Sequence, residues 1–185
     1  ASDESTVTDS GSLDASSASG QGGKIVVTGG HVLLDDGASL DASGATGGGE
    51  VKVGGGWQGK DSSVTNASAV VMQPTATIDV SATASGNGGT AVLWAQDYTG
   101  FFGSIAARGG PGWGDGGQVE TSSTNNLQVS GLVDTSAANG TTGSWLLDPF
   151  DVTIASSGAS GTAFANIFTP AANSVILASS IATAL

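Results

Sequence analysis

Four aspartates, Asp14, Asp41, Asp79 and Asp134, occupy one position of a recurring motif: Ser12-Leu13-Asp14-Ala15-Ser16, Ser39-Leu40-Asp41-Ala42-Ser43, Thr77-Ile78-Asp79-Val80-Ser81 and Leu132-Val133-Asp134-Thr135-Ser136. Ser104-Ile105-Ala106-Ala107-Arg108 carries an alanine at the same place. Carboxylates stacked in this way could bind calcium, which takes six to eight oxygen ligands. The alternative, which we favour, is local: each Asp accepts from a nearby Ser hydroxyl or corner N–H in an Asp-x-Ser turn. The run from Gly109 to Gly117 resembles a calcium-binding glycine-rich nonapeptide, but Gly114 stands where that repeat needs Asp and the run occurs once. We read it as a tight corner.

Other chemistry has little material. His31 is the single histidine and there is no cysteine, which removes Ser-His-Asp triads, multi-histidine metal sites and thiolate sites. A surface or corner histidine is preferred to a haem ligand. Glycan-cleaving chemistry needs paired carboxylates, or an acidic metal site with a proton-abstracting base. The four basic residues, Lys24, Lys52, Lys60 and Arg108, fall on no obvious acidic cluster. We therefore expect no catalytic, metal or cofactor residues and no enzymatic activity. Trp57, Trp94 and Trp113 could form an aromatic surface for a glycan or receptor; the competing reading packs them against outer-face residues or against a loop. A net charge of −12 disfavours nucleic acid and anionic lipid as partners.

These side chains need a repeating frame. A glycine pair, a polar residue and an alternating apolar strand recur, with the second glycine at 23, 49, 89, 117 and 143, steps of 26, 40, 28 and 26. The Asp motif keeps the same beat, and a further apolar stretch lies between the two: Val32-Leu33-Leu34, Val70-Val71-Met72, Phe101-Phe102 and Leu127-Gln128-Val129. Three short strands per period of about 27 residues describe a coil of a solenoid. The expected fold is a right-handed parallel β-helix of about five coils over residues 1–154, followed by an irregular tail or cap over 155–185.

Alternation assigns the faces. Ile25, Val51, Ala91, Val119 and Trp145 should line the interior, while Lys24, Glu50, Thr90, Gln118 and Ser144 face solvent. By the same rule Trp94 points outward. The long step holds about a dozen extra residues near 54–66, expected as a loop that leaves the rod at a corner. In the last segment Phe164, Ile167, Phe168, Val175, Ile176 and Leu177 could cover one end. Exposed strand edges at the ends suit neighbouring coils or further copies stacked end to end.

The stretch from Gly88 to Ile154 contains GGTAVLWA, GSIAARGG, GDGGQVE, GLVDTSA and WLLDPFDVTI in this order. It resembles the large secreted exoproteins of the filamentous haemagglutinin family, which cross the outer membrane by two-partner secretion. That resemblance implies a β-helical fibre, secreted or held at a Gram-negative cell surface, that serves as the stalk of an adhesin or matrix fibre. Its implied partners are host-cell or matrix glycans or receptors and the outer-membrane transporter of a parent protein. The family's amino-terminal secretion domain, with its Asn-Pro-Asn-Gly motifs, is expected to lie outside this chain, so no residue is assigned to transporter recognition.

Overall fold

The computed structural model describes residues 5–157, 167–170 and 173–184. The chain opens with β1 (Thr6–Asp9) and β2 (Ser12–Asp14) and continues through β3 (Lys24–Val27), β4 (His31–Leu34) and β5 (Ser39–Asp41). Next come β6 (Glu50–Val53), β7 (Ala67–Met72) and β8 (Thr77–Asp79), then β9 (Thr90–Phe101) and β10 (Ser104–Ala106). After β11 (Gln118–Ser123), β12 (Asn126–Val129) and β13 (Leu132–Asp134) the chain ends in β14 (Ser144–Leu146), β15 (Thr153–Ala155), β16 (Val175–Leu177) and α1 (Ala178–Ala184).

Strands that recur in the sequence stack in parallel. β3, β6, the first half of β9, β11 and β14 make one side. β1, β4, β7, the second half of β9 and β12 make another. β2, β5, β8, β10 and β13 make a third. Each coil thus hands its strands to the next, a parallel β-solenoid. Parallel strands buried on one face by their own coil are stable only when the alternation is kept, because a slip of one residue would turn the apolar set outward.

The inward rows are apolar. Val51, Ala91 and Val119 stack on one side, Leu34, Met72, Phe101 and Val129 on the second, and Leu40, Ile78, Ile105 and Val133 on the third. All are buried. Each of these side chains larger than alanine contributes roughly 1.5–3 kcal/mol when removed from water.

The phase between the two motifs has a direct cause. The N–H groups of Gly23, Gly49, Gly89, Gly117 and Gly143 donate to the carbonyls of Ala15, Ala42, Val80, Ala107 and Thr135 at 2.7–2.8 Å. The residue after each Asp position is therefore tied to the second glycine of the pair. The first glycine is needed for clearance: a Cβ at Gly48 would lie 1.7 Å from the Val80 carbonyl oxygen, and one at Gly116 would lie 1.8 Å from that of Thr135.

Two expectations about the periphery change. Residues 54–66 form a loop with a short 3₁₀ turn at Trp57–Gly59, leaving as expected at the corner between β6 and β7, but the loop does not project from the solenoid. It lies back over the outer face of β9 and β11, as its contacts below show. Beyond Ala155 the chain is not irregular throughout, since β16 and α1 are regular, and α1 rests against β13 and β16. Ile176 is buried in the core, and Ile167 and Phe168 pack on the side of the solenoid instead of its end. Phe164 lies outside the described residues.

Candidate interaction surface

Outward positions of the first side carry the loop. Lys52, Val92 and Glu120 stand in one outward row, with Trp94 and Ser122 paired two places further along. The Lys52 ammonium donates to Asp61 Oδ2 at 2.9 Å and also pairs with Glu50, which in turn meets Lys24 at 2.9 Å. The expected Lys24–Glu50 neighbours are thus part of a chain of charges that ends on the loop. Burial alone would lower the Lys52 ammonium, but Glu50 and Asp61 raise it overall. Burial would likewise raise Glu50, and hydrogen bonds from Lys24 and Lys52 hold it below the ordinary value. The Ser63 hydroxyl, and then Lys52, hold Asp61 low as well.

Further along the loop, the Gln58 N–H donates to Glu120 Oε2 at 2.8 Å. Glu120 is fully buried, and its Oε1 has no hydrogen-bond partner among the described residues. Gly55 and Gly59 close over the Trp94 ring; a Cβ at Gly59 would come within 2.4 Å of it.

This geometry separates the three tryptophans. Trp94 points away from the coil, yet only 7% of it is exposed because the loop covers it, so it is withdrawn as a ligand contact while the loop is seated. Alternation alone could not show this, because the cover comes from an insertion outside the period. Trp57 is half-buried on that loop. Trp113 is 63% exposed and borders a different groove, lined by Lys24, Glu50, Asn87, Thr90 and the stacked glycines Gly47, Gly48, Gly49, Gly86, Gly88 and Gly89. Trp145 is half-buried against the core; its ring meets Phe101 edge-on at 6.2 Å and its indole N–H donates to Thr121 Oγ1 at 3.0 Å.

The aspartate row serves the backbone. Oδ1 of Asp14, Asp41, Asp79 and Asp134 accepts the N–H of Ser16, Ser43, Ser81 and Ser136 at 2.8–2.9 Å, the Asp-x-Ser turn. Where Ala106 interrupts the row, Arg108 fills the gap, with its guanidinium 3.4 Å from Asp134 and 3.8 Å from Asp79. Among the described residues no three His, Cys, Asp or Glu side chains gather as metal ligands. The Gly109–Gly117 run is a corner: Gly110 N–H donates to the Gly86 carbonyl and Asp115 Oδ1 accepts the Thr141 N–H.

A surface that the sequence reading missed lies on the second side. Ala69, Val71, Tyr98 and Phe102 form a buried cluster outside the coil, covered by Leu33, Ile167 and Phe168. His31 stacks on Phe168 with ring centroids 4.8 Å apart. Apolar residues on both faces of Val70-Val71-Met72 were the available signal, since a strand with only one buried face alternates.

No protein-family model matches the chain, and no curated protein matches it. Among solved structures it is similar to the HMW1 secretion domain from Haemophilus influenzae, with 33% identity and a TM-score of 0.65. The match covers 79% of this chain and 37% of that one. This chain therefore spans little more than a third of that domain's length. The likeness falls within a secretion domain, the region that the family resemblance had placed outside the chain.

Proposed function

We propose that this chain is a structural β-helical segment of a secreted Gram-negative adhesin or extracellular surface fibre of the two-partner secretion type. On this reading the solenoid is right-handed, with three strands per coil of about 27 residues and about five coils. The observation that carries it is the parallel stacking of repeated strands from β1 to β14, in a chain similar over most of its length to part of a secretion domain. Such a segment holds other parts of a molecule at a distance and performs no catalysis. Its partners are neighbouring coils or copies of itself end to end, and the outer-membrane transporter of a parent protein.

The alternative is a glycan- or receptor-binding module, and the exposure of Trp113 beside a polar groove favours it. An exposed indole offers a flat apolar face to a sugar ring, while Asn87, Thr90 and Glu50 offer hydrogen bonds. A glycan array probed with the purified protein and its Trp113→Ala variant separates the readings. Binding lost on substitution supports the module; no binding by either supports the structural segment.

A further inference from the structure

The last strands do not follow the order of the chain. β14 stacks directly on β11, with Gln118 opposite Ser144. β15 follows β14 by six residues and should lie on the same rung, directly on β12. Instead β16 sits on β12, pairing Val175 with Gln128 and Ile176 with Val129, and β15 pairs with the outer edge of β16. The chain drops a rung between Leu146 and Thr153.

The repeat assigns the β12 edge to β15. Ile154 follows Val129 by 25 residues, the offset that separates Val7 from its partner Val32. In that register Val152 would fall against Leu127 and Ile154 against Val129, extending both inward apolar rows. In the observed register the rung below Leu127 holds Ser174, which is buried and accepts the Leu127 N–H through its hydroxyl at 3.2 Å. Val152 and Ile154 are meanwhile 47% and 60% exposed. A groove of about 400 Å³, lined by Asn126, Phe150, Val152, Asn173 and Ser174, marks the poorly filled junction. Two apolar residues whose pattern fits the core are outside it, and a serine is within.

We propose that β15 and β16 are alternative occupants of the β12 edge, so that the end of the solenoid switches between two arrangements. With β16 seated, Ile176 and α1 close the end, and Ile181 packs on the core. With β15 seated, Val152 and Ile154 are buried, the serine leaves the interior, and the free edge of β15 becomes the next place for a strand to add. The hydrophobic gain from two branched side chains opposes the loss of Ile176 and the helix. Exchange requires the two arrangements to lie close in free energy, which the crosslinking rates below read out.

The cysteine-free chain makes the exchange directly measurable by disulfide trapping. Neighbouring rungs lie about 4.8 Å apart, within disulfide reach, whereas two rungs span about 9–10 Å, beyond it. Gln128→Cys with Val175→Cys should crosslink readily and report the seated β16. Gln128→Cys with Thr153→Cys can close only with β15 on β12. It should form slowly in the otherwise unaltered chain, and at least roughly tenfold faster when Ile176→Asp bars β16 from the core, as expected for a minor state made dominant. Adding Val152→Ser and Ile154→Ser should slow that second crosslink. The proposal is overturned if the 128–153 pair stays reduced in both backgrounds. Loss of cooperative unfolding in the Ile176→Asp chain would overturn it equally, because β15 would then be unable to close the end.

Discussion

The backbone N–H of Gln58 points at the buried carboxylate of Glu120, 2.8 Å away, from a residue held at a φ of 54°. A glutamine in the left-handed region costs about 1–3 kcal/mol, and the contact with Glu120 is one of the ties that hold it there. Trp94 is buried beneath the same stretch. The loop is therefore a cover held at discrete points, and each point can be tested.

Glu120 itself makes the cover sensitive to pH. Burial raises its carboxyl above the ordinary value of 4.5, with Gln58 and Ser122 opposing that shift, Asp148 adding to it and Lys60 reducing it. A raised value in the folded state means that the stabilisation is complete below 4.5 and is lost as pH rises through the folded value. Glu50 and Asp134, held low, act in the opposite sense and matter only on acidification. Glu120→Gln should thus stabilise the protein more at about pH 8 than at about pH 5, read as thermal unfolding midpoints. An equal change at both pH values would mean that Glu120 is not the titrating group.

Lys52 is the second tie, nearly buried between Glu50 and Asp61. Lys52→Ala leaves two carboxylates facing each other without their shared cation, a loss of about 1–3 kcal/mol. Denaturant unfolding should register it, and acrylamide should quench tryptophan emission more strongly as the loop lifts from Trp94. Unchanged quenching would show that the loop stays seated without the lysine.

The glycine pair predicts a sharp contrast. Gly48→Ala places a methyl group 1.7 Å from the Val80 carbonyl oxygen, while Gly11→Ala meets nothing closer than 3.7 Å. The first should cost about 3 kcal/mol or more through backbone displacement, and the second should stay within about 0.5 kcal/mol. Urea midpoints of the two variants decide the matter.

Position along the rod should matter as much as motif. Leu13 and Leu40 hold the same place in the repeat and stack on each other, yet Leu13 is 38% exposed and Leu40 only 1%. Leu40→Ala should cost about 2–5 kcal/mol, and Leu13→Ala less than about 1 kcal/mol, since its side chain already meets water. Similar losses at both would indicate that another chain covers the first coil.

Much of this architecture was readable one residue at a time. In a parallel solenoid every strand lies on a copy of itself one period away, so a local alternation repeated in phase is also the tertiary contact list. Val51, Ala91 and Val119 were assigned inward by pattern and stack in that order. The Asp-x-Ser turns were equally visible, because donor and acceptor are two residues apart.

Contacts made outside the period were decided only by the folded chain. Trp94 was read correctly as outward, but its cover comes from Gly55 and Gly59 in an insertion that has no counterpart in the other coils. The placement of β16 between β12 and β15 likewise joins segments 47 residues apart, Gln128 and Val175. A repeat specifies which residues face inward and which neighbours they stack on. It carries no instruction for a segment that leaves the repeat, whose seat is chosen by whichever exposed apolar surface and unpaired strand edge the finished coils still offer.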